Sequence, residues 1–345
     1  MTRYLGGLIT KDESLVIPSD NYQDTSAPGV WTLEEAQMLS KQGKWPTAGV
    51  TLQRAVFAGG WFNAYDVIDY VDISSTGNAT DFGNLTSPRG GCTGCASATR
   101  GLIGGGGTTG FSMSGQDFLD YITIASTGNG TDFGNLTVGR NDFAACNNAT
   151  RGVFFSGRTD SGQTTVNTID YVTIASTGDA TDFGDATTGF FAVGGTSSST
   201  RGVFAGDYDA QNLIDYITIA STGDAADFGD LSVGRHGVGG LSNGTRGCFG
   251  GGSLSDGSIS NTVDYITIAS TGNATDFGDL TVARTQIPGA SSSTRGIFAG
   301  GNTSPRLDVM DYITIASTGN ATDFGDLTQA RDQLAGLSNV NGGLQ

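Results

Sequence analysis

The sequence predicts an all-β chain: a six-bladed β-propeller with four strands to a blade, behind an N-terminal arm that holds one short helix. Three observations predict it. A segment close to Asp-Tyr-Ile-Thr-Ile-Ala-Ser-Thr-Gly-Asn-Ala-Thr-Asp-Phe-Gly-Asp-Leu-Thr occurs six times, its Asp-Tyr starting at Asp69, Asp120, Asp170, Asp215, Asp264 and Asp311. The period of 45 to 51 residues, with four strand-like pieces in each unit, is that of a propeller blade. Glycine supplies 56 of 345 residues without the triplet period of collagen or an excess of proline, which fits a turn-rich β protein.

The arm comes first. Residues 1–47 do not match the repeat, and they hold all three Lys (Lys11, Lys41, Lys44) and all three Glu (Glu13, Glu34, Glu35). Beyond them every charged residue is Asp or Arg, so the propeller domain is placed at 48–345. Thr32 is a good N-cap, with Glu35 completing a capping box and Trp31 able to staple onto Ala36. Gly43 and Pro46 stop the helix, which is expected over about 33–42. So short a helix is not stable alone in water and must pack on something, either the propeller's side or a larger assembly.

Each repeat unit then reads as four strands. Strand a follows the Arg eight residues after Asp-Phe-Gly begins (Arg89, Arg140, Arg235, Arg284, Arg331, with Phe190 in the third unit), and its small residues suit a crowded axis. Strand b opens on a second Arg eleven residues later, at Arg100, Arg151, Arg201, Arg246 and Arg295, with Arg54 the first of the series. Strand c, as in Val309-Met-Asp-Tyr-Ile-Thr-Ile-Ala, is β-branched and apolar on both faces, as a strand between two neighbouring blades must be. Ser-Thr-Gly-Asn-Ala turns the chain into strand d. The array begins at a strand b near Leu52 and ends in a lone strand a after Arg331, so the C-terminal strand should complete the first blade and leave no exposed edges.

The unit, with Gly-Gly after strand b, an aromatic after Asp on strand c and Arg after strand d, resembles a kelch-type blade. It departs from that pattern in having Phe where kelch blades carry Trp on strand d, hence kelch-like. The resemblance covers about residues 49–345 and speaks to architecture, since kelch propellers serve many roles. The arm segment Gly29-Val-Trp-Thr-Leu-Glu-Glu-Ala-Gln-Met-Leu-Ser-Lys-Gln-Gly-Lys-Trp-Pro, and the Thr-Gly-Asn-Ala-Thr-Asp-Phe-Gly repeats, resemble virion proteins of tailed bacteriophages of the marine or cyanobacterial type. That resemblance implies a tail fibre, tail-associated or head-decoration protein. The arm, through Trp31, Leu33, Met38, Leu39 and Trp45, would then dock on other virion proteins.

Spacing locates a candidate binding face. From each Asp-Tyr to the second Arg every interval is fixed, whereas the interval from that Arg to the next Asp-Tyr runs 15, 20, 19, 14, 18 and 16 residues. All length variation thus falls in the b–c loop, which emerges on the same face as the d–a loop, and variable loops on a rigid scaffold are where recognition usually sits. The candidates there are Trp61, Phe62, Tyr65, Phe111, Met113, Arg158, Asp160, Tyr208 and Arg306, a set with the aromatic and Arg character of binding hot spots and sugar-stacking platforms. Asp207 and Asp209 flank Tyr208. The opposite face, six near-identical Ser-Thr-Gly hairpins, reads as scaffold. The eleven Arg at repeated registers are expected to serve blade geometry, pairing with the repeated Asp.

Other chemistry has less support. A single His236 and a propeller without Glu offer neither a catalytic triad nor a paired-carboxylate glycosidase site, and no sialidase Asp-box is present. Cys92-x-x-Cys95 lacks two further zinc ligands, Cys95 and Cys146 share a register in neighbouring blades, and no Asp-x-Asp-x-Asp-Gly calcium loop occurs. No cofactor or metal is expected. A formal charge of −17 argues against nucleic acid, and no apolar run is long enough for a membrane helix. The N-terminus does not read as a secretory signal, so synthesis in a host cytoplasm and assembly into a virion are expected. The leading expectation is a non-enzymatic virion protein that binds a host-surface receptor or glycan. Its rivals are a purely structural or decorating subunit, a glycan-degrading enzyme and a cellular kelch-like scaffold, and the oligomeric state is left open between monomer and trimer.

Overall fold

A computed structural model describes residues 53–61, 65–108, 114–159, 164–209 and 211–340. The expected helix over 33–42, the arm residues Trp31, Leu33, Met38, Leu39 and Trp45, and the loop residues Phe62, Phe111, Met113 and Asp160 lie outside them.

The described chain is all-β, a ring of six four-stranded antiparallel blades. In blade 1 the innermost strand a is Ala335–Ser338, followed outward by b (Arg54–Ala58), c (Val67–Asp72) and d (Thr80–Asn84). Blades 2 to 6 span 93–135, 144–185, 194–230, 239–279 and 289–326, each with the same a-b-c-d order. The C-terminal strand therefore closes the first blade, pairing Ser338 with Ala55 and Ala335 with Ala58. The ring leaves no inner edge for another chain to extend.

The repeat is legible as a set of inter-blade ties. Each strand-c Asp accepts two hydrogen bonds from the Thr or Ser two residues past strand d of the preceding blade; Asp120, for example, takes Thr86 N at 2.9 Å and Thr86 Oγ1 at 2.7 Å. Five of these Asp are also ion-paired to the Arg that follows the same preceding strand: Arg89–Asp120, Arg140–Asp170, Arg235–Asp264, Arg284–Asp311 and Arg331–Asp69, at 2.6–3.0 Å. All five guanidinium groups are fully buried. Burial pulls Arg140, Arg235, Arg284 and Arg331 below the ordinary Arg value, and the paired Asp opposes it.

The second Arg series also ties each blade to the next. Arg54, Arg100, Arg151, Arg201, Arg246 and Arg295 each donate from Nη1 to the carbonyl just past strand c of the next blade, Ile124, Ile174, Ile219, Ile268, Ile315 and Ile73, at 2.8–2.9 Å. Each lies over its own blade's Tyr, as Arg151 over Tyr171 at 4.2 Å, and that Tyr meets the strand-d Phe edge-on. Both repeated Arg registers are thus consumed by the scaffold.

Glycine is required where blades touch. Gly83 of Asp-Phe-Gly has φ +146, sits opposite the bulge at Ile68/Asp69, and a Cβ there would stand 2.5 Å from the Gly128 carbonyl of blade 2. At the axis, a Cβ on Gly240 would stand 2.2 Å from Gly195 O, so adjacent strands a can approach only without side chains.

The axis has a lining at each end. At the a–b end, Ser338, Ser291, Ser242 and Ser197 each donate to the carbonyl of the corresponding residue in the preceding blade, ending at Asn147. At the loop end, Gly91, Asp142, Ala192, Gly237, Gln286 and Gln333 all adopt positive φ, and their backbone groups form a closed ring: Asp142 N to Gly91 O, and so on around to Gly91 N to Gln333 O, at 2.6–3.0 Å. Between them runs a polar channel of about 110 Å³ lined by all six strands a.

Blade 3 departs from the pattern. Phe190 replaces the buried Arg, stacking on Phe155 at 5.8 Å, and Phe155 stacks on Phe204 of blade 4 at 4.0 Å. Other blades end strand b in Ala or Gly, so Phe155 and Phe190 together fill the space of the missing guanidinium. Ser156, which has φ 56, bonds Phe190 N and O through its Oγ at 2.7 and 2.8 Å. Asp215 is left with Thr187 alone, and burial raises its carboxyl above the usual range.

Candidate functional site

The b–c and d–a loops share one face, and backbone bridges join them at the base. Gly90 pairs with Gly107, Asn141 with Arg158, His236 with Ser253 and Thr285 with Asn302. The bridges hold the loop bases close to the ring. Among the described residues no such bridge occurs at blade 1, where Trp61 N bonds Asp332 O, nor at blade 4, where the b–c interval is the shortest, 14 residues. A ring contact takes its place: Tyr208 lies on Phe191 at 4.4 Å with an 18° interplanar angle.

The candidate residues differ in what they offer. Arg158 is 6% exposed: it is ion-paired to Asp142, donates from Nε to Asn141 Oδ1 at 2.9 Å, and covers Phe191 at 4.9 Å. Arg306 donates from Nε to Asp332 Oδ1 at 2.6 Å, and Asn302 holds the other oxygen of that carboxylate at 3.1 Å. Both are braces between a b–c loop and a d–a loop. Trp61 is half-buried, its backbone N bound to Asp332 O at 2.9 Å and its indole laid along Gly107. Tyr65 is half-buried as well, its backbone spanning Gly60 O and Arg89 N. Among the described candidates Tyr208, 40% exposed, is the most open.

The structure therefore does not gather the described candidates, Trp61, Tyr65, Arg158, Tyr208 and Arg306, into one pocket. It spaces them around the loop face and builds one aromatic cluster, Arg158–Phe191–Tyr208–His236, across blades 3 to 5. His236 meets Tyr208 at 5.1 Å and 45°, and its Nδ1 is enclosed with no hydrogen-bond partner among the described residues. Burial lowers its pKa, opposed by the nearby Asp209 charge, so the imidazole is neutral at pH 7. Burial raises the carboxyl of Asp207, which accepts Phe191 N at 3.4 Å. Burial likewise raises Asp142, against the pull of Arg158.

Phe191 and His236 are the functional candidates that loop-length reasoning misses, because the d–a loops have constant length. A signal does exist. The residue after the first repeated Arg register is Gly90, Asn141, Phe191, His236, Thr285 and Asp332 in turn, six different side chains at one position of an otherwise repetitive unit.

The cysteines form no site. All four are buried free thiols, and burial pushes Cys95 and Cys248 up to about 12. The Cys95 sulfur covers Gly152 and the Cys146 sulfur covers Gly202, each turned toward the next blade's strand b. Among the described residues no cluster of His, Cys, Asp and Glu could hold a metal ion, and no helix is long and apolar enough to cross a membrane.

The described chain is a six-bladed β-propeller with one variable loop face and one repetitive hairpin face. No protein-family model matches the sequence, and comparison with curated proteins finds no significant match.

Proposed function

We propose that this propeller is a non-enzymatic binding protein of a bacteriophage particle, with the loop face meeting a host-surface receptor or glycan and the arm meeting other virion proteins. The observation that carries the binding role is the division of labour between the two faces. All length variation, the six differing residues after the first repeated Arg register and the exposed Tyr208 fall on one face, while the other repeats one hairpin. The phage assignment is supported by the likeness of the arm segment and of the Thr-Gly-Asn-Ala-Thr-Asp-Phe-Gly repeats to virion proteins. A non-catalytic role is supported by the commitment of the strand-c Asp residues to inter-blade ties. On a particle, many copies would let weak single sites act together.

The test is saturable binding of the fluorescently labelled full chain to a panel of bacterial cells, with the Trp61→Ala/Tyr208→Ala double variant beside it. Binding that the double variant loses supports host attachment. A folded protein that binds no cells, while its deletion from a phage leaves unstable particles with normal adsorption, supports a purely structural subunit instead. Release of reducing ends from host glycans would establish an enzyme.

A further inference from the structure

The Tyr208 cluster is built as a layered stack. The Arg158 guanidinium, fixed by Asp142 and Asn141, lies under Phe191; Phe191, 5% exposed, lies under Tyr208; and Tyr208 is 40% exposed. An aromatic ring supported in this way loses little freedom when something settles on its outer surface. Asp209 and the neutral imidazole of His236 stand beside it, and the Asp207 carboxylate lies just below. The stack also lies on the shortest b–c interval, 14 residues, between neighbours of 19 and 18.

Building on the glycan-binding reading above, we propose that Tyr208, backed by Phe191 and edged by His236 and Asp209, is the stacking subsite for one uncharged pyranose unit of a surface glycan. Three features select that chemistry. The C–H-rich face of a pyranose matches a single exposed aromatic ring with polar groups at its rim. Carboxylates at the rim accept hydroxyl hydrogens. The chain's charge of −17, with Arg158 already neutralised by Asp142, repels sialic and uronic acids.

The experiment uses the full chain, biotinylated and clustered on streptavidin so that weak sites add. It is applied to a printed array of gluco-, manno- and galacto-oligosaccharides alongside polygalacturonate and polysialic acid. The expected result is retention on at least one neutral glycan. Tyr208→Ala should weaken it by roughly tenfold or more, and Tyr208→Trp should preserve it. A melting temperature only about 1–3 °C below the parent for Tyr208→Ala, as expected for the loss of one ring contact, keeps folding out of the comparison. Neutral-glycan binding indifferent to Tyr208→Ala, binding to acidic glycans only, or no glycan binding at all would each overturn the subsite. Cell binding separates this from the broader reading. Cells captured through the loop face without any glycan on the array would refute the subsite and leave attachment standing. Tyr208-dependent glycan binding without cell capture would do the reverse.

Discussion

The most informative perturbation is one substitution made in two adjacent blades. Asp264 and Asp215 occupy the same position of strand c, but Asp264 faces Arg235 and Asp215 faces the junction where Phe190 stands instead. Asp264→Asn removes a carboxylate 2.9 Å from a guanidinium that is fully buried and whose remaining bond is to Phe249 O at 3.0 Å. Leaving such a charge unpaired costs about 3–5 kcal/mol. At Asp215 no cation is stranded. Its partners are Thr187 N at 3.1 Å and Thr187 Oγ1 at 2.6 Å, both donating to Oδ2, and an Asn carbonyl oxygen in the same place can accept both. The expected change is within about 1 kcal/mol. In a domain of this size roughly 2 °C accompanies each kcal/mol, so calorimetry should show Asp264→Asn melting about 6–10 °C below the parent and Asp215→Asn within about 2 °C of it. Equal losses at the two positions would refute the reasoning, because the ion pair would then not be what distinguishes them.

Three further outcomes follow from the same geometry. Burial raises the Asp215 carboxyl, so the folded chain holds that proton more tightly than the unfolded one. This contribution to stability is therefore lost as pH climbs from about 4 through the raised value, and in urea titrations Asp215→Asn should gain on the parent over that window. Removing residues 335–345 deletes the inner strand of blade 1 and its pairing with Arg54–Ala58, so cooperative thermal unfolding followed by circular dichroism should disappear. Gly240→Ala places a methyl 2.2 Å from Gly195 O at the axis and should cost about 3 kcal/mol in the same urea titration.

Most of the ring could be read from the chain because each repeated residue does a repeated job. Asp-Tyr, Asp-Phe-Gly and the two Arg registers recur at constant spacing since each bridges one blade to the next, and a change of spacing would break the tie. The closing strand was legible for the same reason, as a strand a left over at one end and missing at the other. The exceptions were harder to read. Phe190 in place of Arg is visible in the sequence, but that Phe155 and Ser156 compensate for it depends on stacking and a hydrogen bond between residues 34 apart in sequence. The site was legible only as a face. Arg158 and Arg306 stand out in the sequence as Arg outside the repeat, yet their Asp partners lie in neighbouring loops 16 and 26 residues away and convert them from exposed hot-spot candidates to braces. Loop variability singles out Tyr208 as a candidate. Loop length does not single out Phe191 and His236, which vary in identity on loops that do not vary in length.

The central claim is that the loop face does the recognising and the hairpin face is scaffold. Hydrogen–deuterium exchange of the full chain, alone and bound to envelope fragments of a cell it recognises, tests this most directly. Protection confined to peptides carrying the b–c and d–a loops, strongest around 190–209 and 235–238, is the predicted result. Protection centred on the six Ser-Thr-Gly hairpins would contradict it and move recognition to the opposite face.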